Sequence, residues 1–481
     1  MATTENGAAS LASTGDARLN LFFKLVRDLD GAQLTSAVIE SWAVDPLDTL
    51  RIAFHGRDCR GGKGDRRPFF RIISHVENAW PTWFEANFKE IPEFGRWLDL
   101  VELYKDLSPN GRSLVASFMA EQLKEDVANM AAERPVSLLA KWFPSENKRW
   151  SKRCNIRSDV TSHLFKNSTT NETHEKGHAA TLRTKYISPL RAHIKVVERQ
   201  MCGNTWNEIP YSSVPGCAMT RYRDAFRKHD AERFGQWVAD VTAGKATIKA
   251  GQVYPHELIA KIRAAVDHGD AVIEEQWRSI MMTYAGQLNN TVVVSDVSGS
   301  MTGTPMDVSI ALGILIASLA ESDSPYYKRL ITFSESPTLH DFSAAKTLFD
   351  TVKSVEEMDW GGNTNLQAVF DLILERDHVP ENVLILSDMQ FDAAMPDGAT
   401  NFETVKQRFA KAEKRMPTII FWNLRGATGD FPVESDTNGV VLLSGYSPAV
   451  MRLVLTGEKM SPYSIMRAAI DNERYAAIKS P

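Results

Sequence analysis

The sequence predicts a multidomain protein: an α-helical, HEAT-repeat-like module followed by an α/β doubly wound domain. Three observations lead there. The chain has 481 residues, more than one ordinary hydrophobic core organises, so two or three domains are expected. From residue 18 to about 287, apolar residues recur mainly at three- and four-residue spacing, the pattern of amphipathic helices. From residue 288 onward, short branched-apolar runs alternate with helical segments, the pattern of a mostly parallel sheet covered on both faces.

The expected division is therefore a flexible lead-in at 1–17, a helical domain at 18–287 and an α/β domain at 288–481. "ARLNLFFKLVRDL", "QLTSAVIESWAV", "PLDTLRIAFHGRD", "PFFRIISHVENAW" and "FGRWLDLVELYKDL" read as helices. Pro46, Pro68, Pro81 and Pro92 stand at or near helix starts, where a missing N–H is harmless. No fixed-period repeat is visible, so the solenoid expectation rests on the density of short helices with short connections. The polar run "KNSTTNETHEKGHAA" (166–180) reads as a loop. In the C-terminal part, "NNTVVVSDVS", "YYKRLITFS", "ENVLILSDM", "PTIIFWNL" and "GVVLLSG" read as buried strands.

Bulk properties narrow the function classes. Hydrophobic residues make up 43% and charged residues 24%, as in globular proteins. The longest apolar run, "VSIALGILIASLA", is too short to span a bilayer, and no membrane partner is expected. The first twenty residues have neither the basic flank nor the apolar core of a secretory signal. Cys59, Cys154, Cys202 and Cys217 are widely spaced without CxxC, which argues against a thiolate zinc site and fits a reducing, cytoplasmic setting. The net charge of −5 is unevenly spread. Residues 291–481 hold 16 Lys+Arg against 25 Asp+Glu, whereas residues 145–200 hold 12 against 5. A basic segment of this kind fits either a polyanion partner or a solvated helical face.

The chemistry concentrates in "VVVSDVSGSM" (292–301), where a strand runs into Asp296, Ser298 and Ser300. A carboxylate and two hydroxyls form part of a hard-oxygen cation site and need ligands from other loops. "WGGNTN" supplies Thr364 just before a helix, and "LILSDMQFD" supplies Asp388 at another strand end, with Asp392 as a possible support. The alternative is a turn held by its own hydrogen bonds. Enzymatic readings fail on spacing. A nucleophile elbow needs Gly where Asp296 and Ser300 stand. "HGRDCRGGKGDRR" (55–67) has Arg57 and Gly64 where a phosphate loop needs Gly and Ser or Thr.

Asp-x-Ser-x-Ser, then a loop threonine, then a strand-end aspartate resembles the metal-ion-dependent adhesion site of von Willebrand factor A domains. The resemblance implies Mg2+, or another divalent cation such as Mn2+, at Asp296, Ser298, Ser300, Thr364 and Asp388. It also implies an acidic protein residue completing the coordination. Further stretches, among them "STGDARLNLFFKLVRD", "RDCRGGKGDRRPFFRII", "IPEFGRWLDLVEL" and "GKATIKAGQVYPHEL", resemble a family of helical-plus-A-domain proteins of plants, fungi and large viruses. That family is similar in architecture to the Ro (TROVE) ribonucleoproteins. The resemblance implies a non-catalytic protein binding small noncoding or single-stranded RNA.

The basic clusters are compatible with such a partner. Arg57, Arg60, Lys63, Arg66 and Arg67 lie in a glycine-rich stretch that lets main-chain amides approach phosphates. Lys148, Arg149, Lys152 and Arg153 surround Trp150, and Arg183, Lys185 and Arg191 lie near Tyr186, a cation–aromatic mix suited to single strands. The competing reading of the first cluster is a tight interhelical turn whose arginines cap helix ends. A scaffold without RNA is the alternative function. A second is a zinc peptidase built on "HEKGH", with His174 and His178 as ligands, Glu175 as base and Glu198 as third ligand. The polar surroundings and Gly177 disfavour the helix that site requires.

Overall fold

The computed structural model describes residues 2–4, 6–145, 155–165, 173–265, 269–285, 290–333, 337–358, 364–392, 400–426, 430–456 and 461–481, with main chain only at 2, 173–176 and 454–456. The N-terminal region is mostly helical and a six-stranded mixed sheet lies toward the C-terminus. Contacts divide the chain into two compact units, Met1–Pro68 with Pro210–Asn472, and Phe69–Ile209 with Glu473–Pro481.

The first unit is built on the sheet. An N-terminal hairpin of β1 (Ala2–Thr3) and β2 (Ala9–Ser10) precedes it. The sheet strands are β3 (Thr291–Ser295), β4 (Arg329–Thr332), β5 (Leu339–Asp341), β6 (Asn382–Ser387), β7 (Thr418–Asn423) and β8 (Val440–Ser444). They lie in the order β5-β4-β3-β6-β7-β8, parallel throughout except for β5, which runs antiparallel to β4 at one edge. The five parallel strands are those read from the apolar runs. β5 went unread because it is three residues long and none of its side chains is buried.

Side chains alternate across a strand, and both faces of this sheet are buried. Val293, Leu330, Leu384, Leu386, Ile420, Trp422, Val441 and Leu443 enter one core, while Val292, Val294, Ile331, Val383, Ile385, Ile419, Phe421, Val440 and Leu442 enter the other. Helix Leu366–Leu374 and helix Asn401–Lys411 cover the second face through Leu366, Val369, Phe370, Val405 and Phe409. Helix Thr304–Leu319 covers the first, and its residues from Val308 to Ala317 are all buried.

A helix that is apolar all round needs cover on the side away from the sheet as well. Helices Pro255–Arg263 and Ala271–Tyr284 supply it with Leu258, Ile259, Ile262, Ile273, Trp277 and Ile280. Packing therefore does not follow the sequential division expected at 287/288, because the last helices of the N-terminal region complete the sheet's core. Nor is the lead-in at 1–17 a loose segment over its described residues. Leu11 and Phe431 exchange both main-chain hydrogen bonds, at 2.9 and 2.8 Å, and the Ser435 amide donates to the Thr14 carbonyl at 2.9 Å. Asp16 then caps helix Ala17–Lys24, accepting from the amides of Arg18 and Leu19.

The glycine-rich basic stretch also belongs to this unit, and it is the tight interhelical turn. It folds back on the end of helix Pro46–Arg57: the Lys63 amide donates to the His55 carbonyl at 3.0 Å and the Asp65 amide to the Gly56 carbonyl at 2.8 Å. At Gly62 a Cβ would lie 2.1 Å from the His55 carbonyl oxygen, so only glycine fits. Lys63, expected to face RNA, is wholly buried. Its ammonium donates to the carbonyls of Phe22 and, at 3.2 Å, Leu25, and to the Ser444 hydroxyl at 2.6 Å. Arg57 is also interior, at 2% exposure, and its charge, after those of Arg27 and Lys63, opposes the rise that burial imposes on the Asp65 carboxyl. These two side chains serve the fold, whereas Arg60 and Arg67 are exposed and Arg66 half-buried.

The second unit is helical. Its longest helix, Pro109–Ala131, starts with Pro109 in its first turn and is capped by the Ser108 hydroxyl, which accepts from the Gly111 amide at 3.2 Å. Glu77 in turn accepts from the Ser108 amide and hydroxyl. The chain's last residues return to this unit. Tyr475 stacks on Phe94 with ring centroids 5.4 Å apart, and Asn87 exchanges hydrogen bonds with the main chain of Lys479. Arg191, another expected RNA contact, donates to the carbonyls of Ala140 (2.8 Å) and Phe143 (2.7 Å), satisfying the end of helix Leu139–Trp142. A helix spans Thr173–Thr181, where the polar composition suggested a loop. It continues into the helical turn Leu182–Ile187, whose Leu182 and Ile187 are buried, so tertiary burial outweighs the local polarity.

Replacing Lys63 by Met leaves buried carbonyl oxygens without their donor, and is expected to destabilise the protein by about 1–3 kcal/mol at pH 7 in urea unfolding. Burial lowers the Lys63 ammonium to about 7. The native state thus binds fewer protons than the unfolded chain between that value and the ordinary lysine range. The stability advantage of wild type over Lys63→Met is therefore expected to grow as pH rises from 7 to 10.

Candidate metal centre

The strand order reverses direction between β3 and β6, where successive connections leave toward opposite edges of the sheet. Parallel sheets place their binding crevice outside the carboxyl ends of strands at such a point. Asp296 follows β3 directly, and Asp388 follows β6 directly. The two strands are adjacent and in register, with Ser295 opposite Leu386. Both carboxylates are buried, Asp296 at 0% and Asp388 at 1% exposure.

Hydrogen bonds fix both groups. One Asp296 oxygen accepts from the Ser298 amide at 2.9 Å, and the other from the Ser387 hydroxyl at 2.7 Å. Asp388 accepts from the Gln390 amide at 3.2 Å. Met389, between them, sits at φ 66, a left-handed backbone uncommon for a side chain of this size. Burial, and then the charge of Asp388, push the Asp296 carboxyl up to about 6. Two carboxylates brought together out of water resist double ionisation.

Two of the hydroxyls lie on the turn that leaves β3, and the third, on Thr364, lies just before helix Leu366–Leu374. The Ser298 and Ser300 hydroxyls are 3.0 Å apart, Ser298 half-buried and Ser300 exposed. Arg425 donates to the Ser300 carbonyl and pairs with Asp28 at 3.5 Å, which steadies this turn from outside. Thr364 is buried at 3% exposure, and its carbonyl accepts from the Asp392 amide at 3.1 Å. Its loop is thereby tied to the one that follows Asp388. Its hydroxyl accepts from the Asn6 side-chain amide at 3.2 Å, a partner the sequence did not point to. Asp392 is half-buried and contributes this main-chain bond.

Among the described residues, no group of three or more His, Cys, Asp or Glu could hold a metal. The set at this end of the sheet is of another kind, two carboxylates with three hydroxyls. Its hard oxygens fit Mg2+ or Mn2+ in donor chemistry. As for the peptidase reading, His174 and Glu175 have side chains outside the described residues, and His178 stacks on Phe165 at 4.6 Å between centroids. Lys148, Arg149, Lys152 and Arg153 also lie outside the described residues. Arg183 and Lys185 are exposed.

Because the folded-state value of Asp296 lies above its ordinary value, the native protein binds more protons than the unfolded chain between pH 4 and 6. Its contribution to stability therefore falls as pH rises through 6. In chelator-treated buffer, the stability of Asp296→Asn relative to wild type is expected to rise by roughly 2–3 kcal/mol between pH 4 and pH 7.5. Paired thermal melts of variant and wild type measure this.

Comparison with known proteins places the chain. A family model described as "Domain of unknown function (DUF7788)" matches residues 290–478. A second, "Domain of unknown function (DUF2828)", matches 4–111 and 112–288. The family boundary thus falls near residue 289, although packing crosses it. "Uncharacterized protein L728" of Acanthamoeba polyphaga mimivirus is 27% identical over 513 residues, covering 96% of this chain and 86% of that protein. Among solved structures, the Ro (RSR) protein of Deinococcus radiodurans matches at 14% identity with a TM-score of 0.44, over 89% of this chain and 92% of that one. With more than half its length matched by a single family model, the chain belongs to the DUF2828 family.

Proposed function

We propose that this protein is a non-catalytic binding protein, in which a HEAT-like, TROVE-like helical module is combined with a von Willebrand factor A domain. Its adhesion-type site holds Mg2+, or Mn2+ in its place. The observation that supports this most is the pair of buried carboxylates, Asp296 and Asp388, at the strand-order reversal, with the Ser298 and Ser300 hydroxyls 3.0 Å apart on the turn that follows Asp296. Ser298, Ser300 and Thr364 would ligate the ion, with the aspartates assisting directly or through water. When bound, the ion would supply a positive charge that a carboxylate can neutralise. The chain's own residues do the rest: Ser387 and the Ser298 amide hold Asp296 in place, and Arg425 steadies the Ser300 turn. The ligand class that fits is an acidic side chain of a protein partner.

Cation titration by calorimetry tests this. Wild type is expected to bind Mn2+ and Mg2+, and Ser298→Ala to lose at least about tenfold in affinity by removing a donor. Protons compete for Asp296, so wild-type affinity should fall as pH drops below about 6. Binding that is absent in wild type, or indifferent to Ser298→Ala, contradicts the reading.

A second reading, RNA binding by the helical module, draws on the basic excess of residues 145–200, 12 Lys+Arg against 5 Asp+Glu, and on the exposure of Arg183 and Lys185. Phosphate contacts make such binding salt-dependent. Fluorescence anisotropy with a single-stranded RNA is expected to show affinity falling steeply between 50 and 200 mM salt, and falling further when Lys148, Arg149, Lys152 and Arg153 are neutralised together. No binding at the lower salt removes this reading.

A further inference from the structure

We infer that the N-terminal hairpin is a working part of the cation site, with Asn6 as a positioning residue for Thr364. The inference rests on the cation reading above and extends it to a segment far away in sequence. Asn6 stands in the turn between β1 and β2, which Gly7 closes at φ +86, its amide donating to the Thr4 carbonyl at 3.0 Å. From this tip the Asn6 side-chain amide donates both to the Thr364 hydroxyl, at 3.2 Å, and to the Gln390 carbonyl, at 3.0 Å. One side chain thus joins the threonine loop to the loop that follows Asp388.

The rest of the hairpin grips the same loop. The Thr4 hydroxyl donates to the Phe391 carbonyl at 2.8 Å and accepts from the Ala8 amide at 2.9 Å. Gly7 bridges Asp392. Ala8, at 1% exposure, is buried in the core cluster that holds Leu366, Met389 and Phe391. The anchoring is therefore both apolar and polar.

The physical consequence concerns the Thr364 oxygen. A hydroxyl rotates freely unless partners fix it, and it has two lone pairs. Accepting from Asn6 occupies one lone pair and confines the proton and the other lone pair to two remaining directions. A ligand held this way loses less orientational freedom when it coordinates, which is how partners behind metal ligands raise affinity. Cation affinity should then depend on the seating of the hairpin, and by reciprocity a bound cation should hold the hairpin down.

Calorimetry with Mn2+ and hydrogen exchange on the full chain test this. Asn6→Ala is expected to weaken Mn2+ binding by about tenfold. Asn6→Gln, which keeps the amide on a longer arm, should recover part of the loss. Should the Ala variant fold poorly, Asn6→Ser, whose hydroxyl is too short to reach Thr364, is expected to show the same loss. Mn2+ should slow exchange of the Gly7 and Ala8 amides in wild type, and in neither Asp296→Ala nor Asn6→Ala. Unchanged affinity in Asn6→Ala and Asn6→Ser, with exchange indifferent to Mn2+, overturns the hairpin's role and leaves the cation reading standing. A lowered melting temperature with unchanged affinity also overturns it, since that is a purely structural role. Failure of wild type to bind Mn2+ overturns both.

Discussion

The burial of two carboxylates at the ends of neighbouring parallel strands is the constraint around which this molecule is arranged. Asp296 and Asp388 are out of water, and the charge of one raises the cost of ionising the other. A fold that keeps such a pair must hold it with donors and with a rigid frame. The frame is the sheet, whose parallel strands are apolar and buried on both faces. The donors are local: a main-chain amide at Ser298, a hydroxyl at Ser387 and an amide at Gln390. Met389 at a left-handed backbone angle is the strained point of this arrangement.

The apolar frame also explains why packing crosses the family boundary. Helix Thr304–Leu319 is buried on both sides, and the sheet covers only one of them. Helices from before residue 288 cover the other, and the Lys63 turn and the hairpin dock on the same unit. A protein cut near residue 289 would expose the outer face of that helix. The part played by N-terminal residues in this unit is thus a demand of the core.

Much of the sheet was legible in the sequence, because strands buried on both faces are written as continuous branched-apolar runs. The positions of the two carboxylates were legible for a related reason: Asp296 and Asp388 stand where two of those runs end, whereas Thr364 lies just before helix Leu366–Leu374. Less was legible wherever a polar residue's direction mattered. Nothing in "RGGKGDRR" says that Lys63 turns inward to three oxygen acceptors while Arg67 turns outward, since both directions suit a glycine-rich loop. Arg191 looked like a surface charge and caps carbonyls instead. The helix over Thr173–Thr181 was hidden by its polar composition, and β5 by its shortness. Asn6 and Thr364 meet across 358 residues of chain, and no spacing rule connects them.

The account depends on a cation at the carboxyl end of β3 and β6. The most direct measurement is anomalous diffraction from crystals of the full chain grown or soaked with Mn2+. The account predicts one anomalous peak within bonding distance of the Ser298 and Ser300 hydroxyls, between Asp296, Asp388 and Thr364. A well-ordered site without that peak, or with the manganese bound only elsewhere, would contradict it.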